Sequence, residues 1–226
     1  MSKLYVVATP IGNLGDVTLR AIETLKSVDF VLAEDTRVTK KLLSHLDISK
    51  PLISFQEHSS PKVLERILDL LKENKNLALV TDAGTPSISD PGQRLIKAVS
   101  SMPYGVSIIP IPGSSALSAI ISVSDIDLSE FTFLGFPPHK KGRQTFFKKV
   151  AALKLPVILF ESPHRIQKTL KELESACGDC YINIGRELTK IYEEVFRGTL
   201  SDAKKHFVGE RQRGEFVIIL SCIDSI

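Results

Sequence analysis

Residues 81–92 read Thr-Asp-Ala-Gly-Thr-Pro-Ser-Ile-Ser-Asp-Pro-Gly. Thr81, Asp82, Thr85, Ser87, Ser89 and Asp90 offer side-chain oxygens, and Gly84 lets the backbone approach a bound group closely. Pro86 and Pro91 stiffen the segment, which lowers the entropy lost on binding. An apolar run, Leu77–Val80, precedes it and a helix-like run, Gln93–Val99, follows it. In an open α/β sheet, ligands bind outside the carboxyl ends of the strands, and this loop stands at such an end. A helix cap at Asp90-Pro91 would account for only two of its residues.

Other segments share that placement. Gly12-Asn13-Leu14-Gly15 follows the first apolar run, with Glu34 and Asp35 about twenty residues on. That is half of a dinucleotide fingerprint without its full spacing, and a tight turn explains it equally well. Pro112-Gly113-Ser114-Ser115-Ala116 ends a strand and opens a helix, where backbone N–H groups attract anionic or polar groups and small residues permit close packing. Glu161-Ser162-Pro163-His164-Arg165 and Arg186-Glu187-Leu188-Thr189-Lys190 place paired charges at two further strand ends, and Glu193 and Glu194 follow the second. His139-Lys140-Lys141-Gly142-Arg143, with Lys148 and Lys149, is a basic window without acids. It could hold a phosphate backbone or be a solvated loop, and Phe146 and Phe147 inside it could stack bases or pack a helix down. The five histidines show no ligand spacing, so no metal is expected.

The elements that must position these residues follow from apolar runs and turn signals. Strands are expected at 4–8, 30–33, 52–55, 77–80, 106–110, 131–136, 157–160, 181–184 and 216–220. Asp16 is expected to cap a helix carrying Leu19, Ile22 and Leu25. Ser60-Pro61, Asp90-Pro91 and Ser162-Pro163 each place a cap oxygen before a helix-opening proline. Further helices are expected at about 143–153, 163–176 and 201–207. Strand, loop and helix alternate, which predicts an α/β fold with mostly parallel strands. A boundary near residue 112 gives an N-terminal α/β domain over 1–112 and a C-terminal α/β domain over 113–226.

Bulk properties agree with a globular enzyme. The chain has 226 residues, 43% apolar and 24% charged, with a net charge of +3. Such a mildly basic balance tolerates an anionic substrate or RNA without requiring either. Cys177, Cys180 and Cys222 are too few and odd in number for a secreted disulfide framework. Cys177-Gly178-Asp179-Cys180 reads as a helix end stopped by Gly178. No signal peptide is visible, and the charge-free stretch 98–124 is broken by prolines and glycines, so no membrane span is expected and the protein should be cytoplasmic.

Taken in order, LYVVATPIGNLGD, AEDTR, DAGTPSISDPG, PIPGSSAL, FESPHR, GRELTK and GEFVIIL resemble the ribosomal RNA small subunit methyltransferase I family, within the tetrapyrrole methylase superfamily. The resemblance runs from about residue 3 to residue 221. It implies a two-domain tetrapyrrole-methylase-like fold, each domain a mainly parallel or mixed sheet flanked by helices. It implies S-adenosylmethionine as cofactor, held in a cleft between the domains, and a homodimer. It further implies 2′-O-methylation of a cytidine ribose in the decoding region of 16S rRNA, within the 30S subunit. The superfamily's cofactor residues carry over onto Pro10, Ile11 and Gly12, then Asp82, Ala83, Gly84, Thr85 and Ile88. Ser115, Ala116, Phe160, Glu161, Gly185 and Arg186 complete the set. Family members often carry a further C-terminal extension, which this sequence, ending at Ile226, does not show; its grip on RNA is then expected elsewhere or through a partner.

Transfer to a ribose hydroxyl needs a base or a stabilising cation. Glu187 and Lys190 are the expected base and cation, with Glu161, His164 and Arg165 in reserve. Lys140, Lys141, Arg143, Lys148 and Lys149 are the expected RNA contacts. A tetrapyrrole methylase and a non-catalytic RNA- or nucleotide-binding subunit remain open at this point.

Overall fold

The computed structural model describes residues 2–89, 92–103 and 105–222. The chain divides into two compact units, Met1–Ser115 and Ala116–Ile226.

The first unit alternates strand and helix: β1 (Lys3–Val7), α1 (Leu19–Ser27), β2 (Phe30–Ala33), α2 (Thr36–His45), β3 (Leu52–Ser54), α3 (Pro61–Lys72), β4 (Leu77–Val80), α4 (Gln93–Ser100) and β5 (Ser107–Ile111). The sheet order is β3-β2-β4-β1-β5 and every pairing is parallel. A parallel sheet needs cover on both faces, and the alternation within β4 supplies it. Ala78 and Val80 point into a core with Leu25 of α1 and Leu43 of α2. Leu77 and Leu79 point the other way, to Ile67 of α3 and Leu95 of α4. This is why the strand runs are continuously apolar rather than alternating.

The second unit holds α5 (Ala116–Ser122), β6 (Thr132–Gly135), α6 (Arg143–Ala152), β7 (Val157–Glu161), α7 (Ile166–Cys177), β8 (Tyr181–Arg186), β9 (Glu194–Thr199), α8 (Leu200–His206) and β10 (Phe216–Ser221). Its sheet runs β6-β7-β10-β8-β9. Only β6 and β7 pair in parallel, and the other pairings are antiparallel. The mostly parallel expectation therefore holds for the first sheet, and the second is mixed. The link from β8 to β9 is a short loop over 187–193, and a parallel crossover needs a dozen residues or more. Phe147 and Val150 of α6, Leu170 and Leu173 of α7 and Phe207 beyond α8 cover one face of this sheet with Leu159, Ile184 and Ile218.

Several local expectations shift. Thr18 caps α1, its hydroxyl accepting from the Ala21 N–H at 3.1 Å, while Asp16 sits in a 3₁₀ turn three residues before the helix. Pro61 opens α3 as expected, but the Ser60 hydroxyl makes no cap bond. α7 begins at Ile166 rather than at Pro163, because the Ser162 carbonyl closes a turn by accepting from the N–H groups of Arg165 and Ile166, both at 3.1 Å. Asp90 and Pro91 lie outside the described residues. Gly178, at φ +81, ends α7. α2 and β9 are additions to the sequence-based expectation. A disulfide joins Cys180 before β8 to Cys222 after β10, with Cα atoms 4.9 Å apart, while Cys177 is free. Among the described residues no helix is long and apolar enough to cross a membrane.

Candidate functional site

In the first unit, β4 and β5 flank β1 in parallel, so the loops after Val7, Val80 and Ile111 leave the sheet side by side. Two backbone hydrogen bonds latch the first two loops together. The Thr9 N–H donates to the Gly84 carbonyl at 2.9 Å, and the Gly84 N–H returns a bond to the Thr9 carbonyl at 3.0 Å. The Thr85 hydroxyl ties the same loop to the Ser114 carbonyl at 3.1 Å. Gly84 sits at φ +84, and a Cβ there would lie 3.2 Å from Ile11 Cγ2. The left-handed conformation therefore disfavours a side chain here, and the space beside Ile11 is tight. Ser87 and Ser89 also hold positive φ, at 73° and 69°. Such conformations cost energy and gather at ligand sites.

The same loop carries its own electrostatics. The Thr81 hydroxyl donates to Glu34 at 2.7 Å, and Asp82 accepts from the Asp35 N–H at 2.9 Å. The Arg37 guanidinium, donating to Asp35, lowers that carboxyl to about 2. Burial pushes the Asp82 carboxyl above its ordinary range; Glu34 and Asp35 add to the shift and the Asp35 N–H opposes it. Asp82 and Ala83 are exposed, as is Gly12, while Pro10 is buried and Ile11, Thr85 and Ile88 are half-buried. Ser115 closes this unit and Ala116 opens the next.

In the second unit, register aligns the other charged segments. Phe216 of β10 stands opposite Glu161 of β7 on one side and Arg186 of β8 on the other. The loops after Glu161 and Arg186 therefore leave from one edge of the sheet, as does the chain before Phe216. Glu161 is 1% exposed. One of its oxygens accepts from the Ser162 N–H at 2.7 Å and from Arg165 at 2.9 Å, and the other accepts from the Thr169 hydroxyl at 2.5 Å. Buried and bonded in this way, the carboxylate anchors its neighbours. His164, in the turn between them, is exposed and makes no hydrogen bond among the described residues.

Glu187 and Lys190 do come together. Lys190 Nζ donates to Glu187 at 2.8 Å and to Glu215 at 2.9 Å, and the Glu187 carboxylate also accepts from the Glu215 N–H at 2.9 Å. Burial pushes the Glu187 carboxyl up, but the bonds from Lys190 and Glu215 and the nearby positive charges outweigh it, and the net shift is downward. Burial likewise depresses Lys190, and the two carboxylates outweigh it, so its pKa rises. Glu187 and Thr189 hold positive φ, at 49° and 68°. The Glu187 side chain lies so close over Gly214 that a Cβ there would meet its Cγ at 2.3 Å. Arg186 is pinned beneath, donating to the Arg213 carbonyl at 2.7 Å. Phe160 is half-buried and Gly185 is buried against Ile120 and Leu188.

The basic window splits. Lys140, Lys141, Lys148 and Lys149 are exposed. Arg143 is 4% exposed and does not stand on the surface as expected. Its guanidinium pairs with Glu172 at 2.7 Å and donates to the Thr169 hydroxyl at 2.6 Å and the Pro138 carbonyl at 2.9 Å. It is the only charge of the window that opens α6, and burial beside Glu172 satisfies it. Phe147 is buried and Phe146 half-buried against the helical core, so these two rings pack the helix down. No group of three or more His, Cys, Asp or Glu among the described residues could hold a metal ion.

Residues 3–204 match the model of the Tetrapyrrole (Corrin/Porphyrin) Methylases. A Thermotoga maritima protein is 44% identical over 221 residues, covering 98% of this chain and 99% of its own, and a Halalkalibacterium halodurans protein is 47% identical over 219 residues, covering 96% and 75%. Both are named ribosomal RNA small subunit methyltransferase I. The chain belongs to that family. Among solved structures, diphthine synthase superposes with a TM-score of 0.72 at 13% identity, covering 98% of this chain and 90% of its own. Cobalt precorrin-4 methyltransferase superposes with 0.70 at 18%, covering 99% and 96%. These likenesses speak for the tetrapyrrole-methylase fold alone.

Thr9, Ser114, Gly214 and Glu215, which hold the loops in place, lay within the quoted motifs without a role of their own. Only the positions of Thr9 and Ser114, each next to a turn-forming proline or glycine, offered a signal. Two outcomes follow from the geometry. Arg143→Met should lower stability by about 3 kcal/mol, because it strands Glu172, Thr169 and a carbonyl, whereas Lys140→Met should change it by less than about 0.5 kcal/mol; urea unfolding measures both. The Glu187–Lys190 pair should make stability pH-dependent at both ends. Glu187 titrates lower when folded, so its contribution stands above the ordinary glutamate range and drains as pH falls through the lowered value. Lys190 titrates higher when folded, so its contribution stands below the ordinary lysine range and drains as pH rises. The stability gap between the wild type and Glu187→Gln should be flat between about pH 5 and 9 and shrink outside that window.

Proposed function

We propose that this chain is an S-adenosylmethionine-dependent methyltransferase that methylates the 2′-hydroxyl of a cytidine in 16S rRNA, in the decoding region of the small ribosomal subunit. The observation that carries this reading is the 44% and 47% identity, over nearly the whole chain, to proteins named for methylation of small-subunit ribosomal RNA. The first unit's strand-end loops fit the donor. The backbone latch between Thr9 and Gly84 holds the Pro10–Gly12 and Ala83–Thr85 segments together, and Asp82 stands exposed next to the second of them. Such a set suits a ligand with a polar nucleoside, an amino acid and a positive charge. Ile88, Ser115 and Ala116, with Phe160, Gly185 and Arg186 from the second unit, complete the proposed cofactor residues. When bound, the donor supplies an electrophilic methyl group for in-line transfer.

The second unit's edge supplies the residues that handle the hydroxyl. Lys190 remains an ammonium over a wide pH range and can stabilise negative charge developing on the ribose oxygen. Glu187 is held by Lys190 and its pKa is depressed, so it serves best by orienting that ammonium. His164 is the reserve residue free to accept the proton, since Glu161 and Arg165 are committed to each other. Lys140, Lys141, Lys148 and Lys149 are free to meet phosphates, and Arg143 braces their loop from within.

Labelled S-adenosylmethionine offered with 30S subunits, naked 16S rRNA and a porphyrinogen mixture should place label in the ribosomal RNA; label in the porphyrinogen alone would replace this reading with tetrapyrrole methylation. Lys190→Met and His164→Gln should each lower kcat by on the order of 100-fold with donor affinity nearly unchanged. A silent His164→Gln beside an equally damaged Glu187→Gln would return the proton to Glu187. Replacing Lys140, Lys141, Lys148 and Lys149 by Gln should flatten the slope of log affinity for RNA against log salt, by roughly 0.7 to 0.9 for each lysine that meets a phosphate. An unchanged slope would make these lysines ordinary surface charges.

A further inference from the structure

We propose that Phe136 is a stacking post for an unpaired base of the RNA, next to the nucleotide that is modified; the inference rests on the RNA-methyltransferase reading and names how that same edge grips its substrate. Phe136 is 49% exposed, the most exposed phenylalanine among the described residues. Its direction is built in. The register between β6 and β7 shifts at Phe133 and Gly135, and Gly135 turns the chain at φ +64. Irregularities of this kind re-aim the side chain that follows. Gly135 stands opposite Leu159, two residues before Glu161, so Phe136 leaves the sheet at the edge that carries the Glu161 and Arg186 loops.

The ring is also held. Phe160 meets it edge-on with centroids 5.5 Å apart, and Phe133 braces Phe160 edge-on at 5.0 Å. An exposed ring fixed in this way loses little freedom when it is covered. Behind it, Arg165 donates to the Pro137 carbonyl and Arg143 to the Pro138 carbonyl, each at 2.9 Å. Two prolines without N–H donors are thereby clamped from within, and the next residues, His139, Lys140 and Lys141, stand exposed. A rigid aromatic face with two exposed ammonium groups four and five residues on is a pairing that suits single-stranded RNA, since the ring stacks on any base and the charges meet phosphates.

The chain contains no tryptophan, so Phe136→Trp installs a single tryptophan at the proposed post, excited selectively over the four tyrosines at the red edge of their absorption. Leu155→Trp is the control. Leu155 is 38% exposed and precedes Val157, at the opposite end of β7 from Glu161. A mixed-sequence single-stranded ribo-oligonucleotide should quench Phe136→Trp and leave Leu155→Trp nearly unchanged. Inorganic polyphosphate should quench neither. In filter binding, Phe136→Leu should weaken affinity for the oligonucleotide on the order of tenfold, and Phe136→Tyr should restore it.

Three results would overturn the assignment: equal quenching by polyphosphate, abolition of the RNA quenching by saturating S-adenosylmethionine, which gives the ring to the donor, or an emission shift with protein concentration in the absence of RNA, which gives it to a second copy of the chain. Failure to quench with RNA, while the wild type still labels 30S subunits, would sink the post and leave the methyltransferase reading standing. Loss of labelling by the wild type would remove that reading itself.

Discussion

A carboxylate withdrawn from water must be surrounded by donors, and Glu161 shows what that demand organises. It is 1% exposed and takes bonds from Ser162, Arg165 and Thr169. Thr169 in turn accepts from Arg143, and the two arginines pass the constraint outward to the Pro137 and Pro138 carbonyls. Removal of any one member would leave a charge or a polar atom buried without a partner, which costs more than the bond itself contributes. One buried charge at the end of β7 thus sets the start of α6, the start of α7 and the loop that carries the exposed lysines. The fold uses a buried network to hold still a surface that carries exposed lysines.

The first unit meets a similar demand by different means. Among the described residues no buried ion pair holds its loop over 81–89. Backbone bonds between Thr9 and Gly84 and hydroxyl bonds from Thr81 and Thr85 hold it. Asp82, exposed in that loop, has its carboxyl pushed upward by partial burial and by neighbouring acids. The Glu187–Lys190–Glu215 cluster in the second unit is the converse, a fully engaged ion network in which the ammonium is kept charged.

Much of the architecture was legible in the residues because burial and turns are local demands. Continuous apolar runs marked β1, β2 and β4 as strands covered on both faces, and Gly178 marked the end of α7. The twelve-residue loop announced itself by composition, since so many oxygens and rigid turns have no packing purpose. β9 was not legible, because its charged and small residues pair along a sheet edge and lack an apolar run. The mixed pairing of the second sheet was allowed by the family resemblance but not given by the residue pattern, because strand direction depends on which neighbour a strand finds, and that neighbour is distant in sequence.

Side-chain fate divided along the same line. Arg143 read as one more cation among lysines, and only the approach of Thr169 and Glu172 from α7 buried it. Phe136 read as the last residue of a strand, and only the register shift against β7 turned it to the surface. The amino-acid order by itself determined the elements, the loop chemistry and the family, because propensity, turn geometry and motif spacing act over a few residues. Which charges are withdrawn, which rings are exposed and which loops share an edge were decided by tertiary structure alone, because each depends on groups brought together from distant parts of the chain.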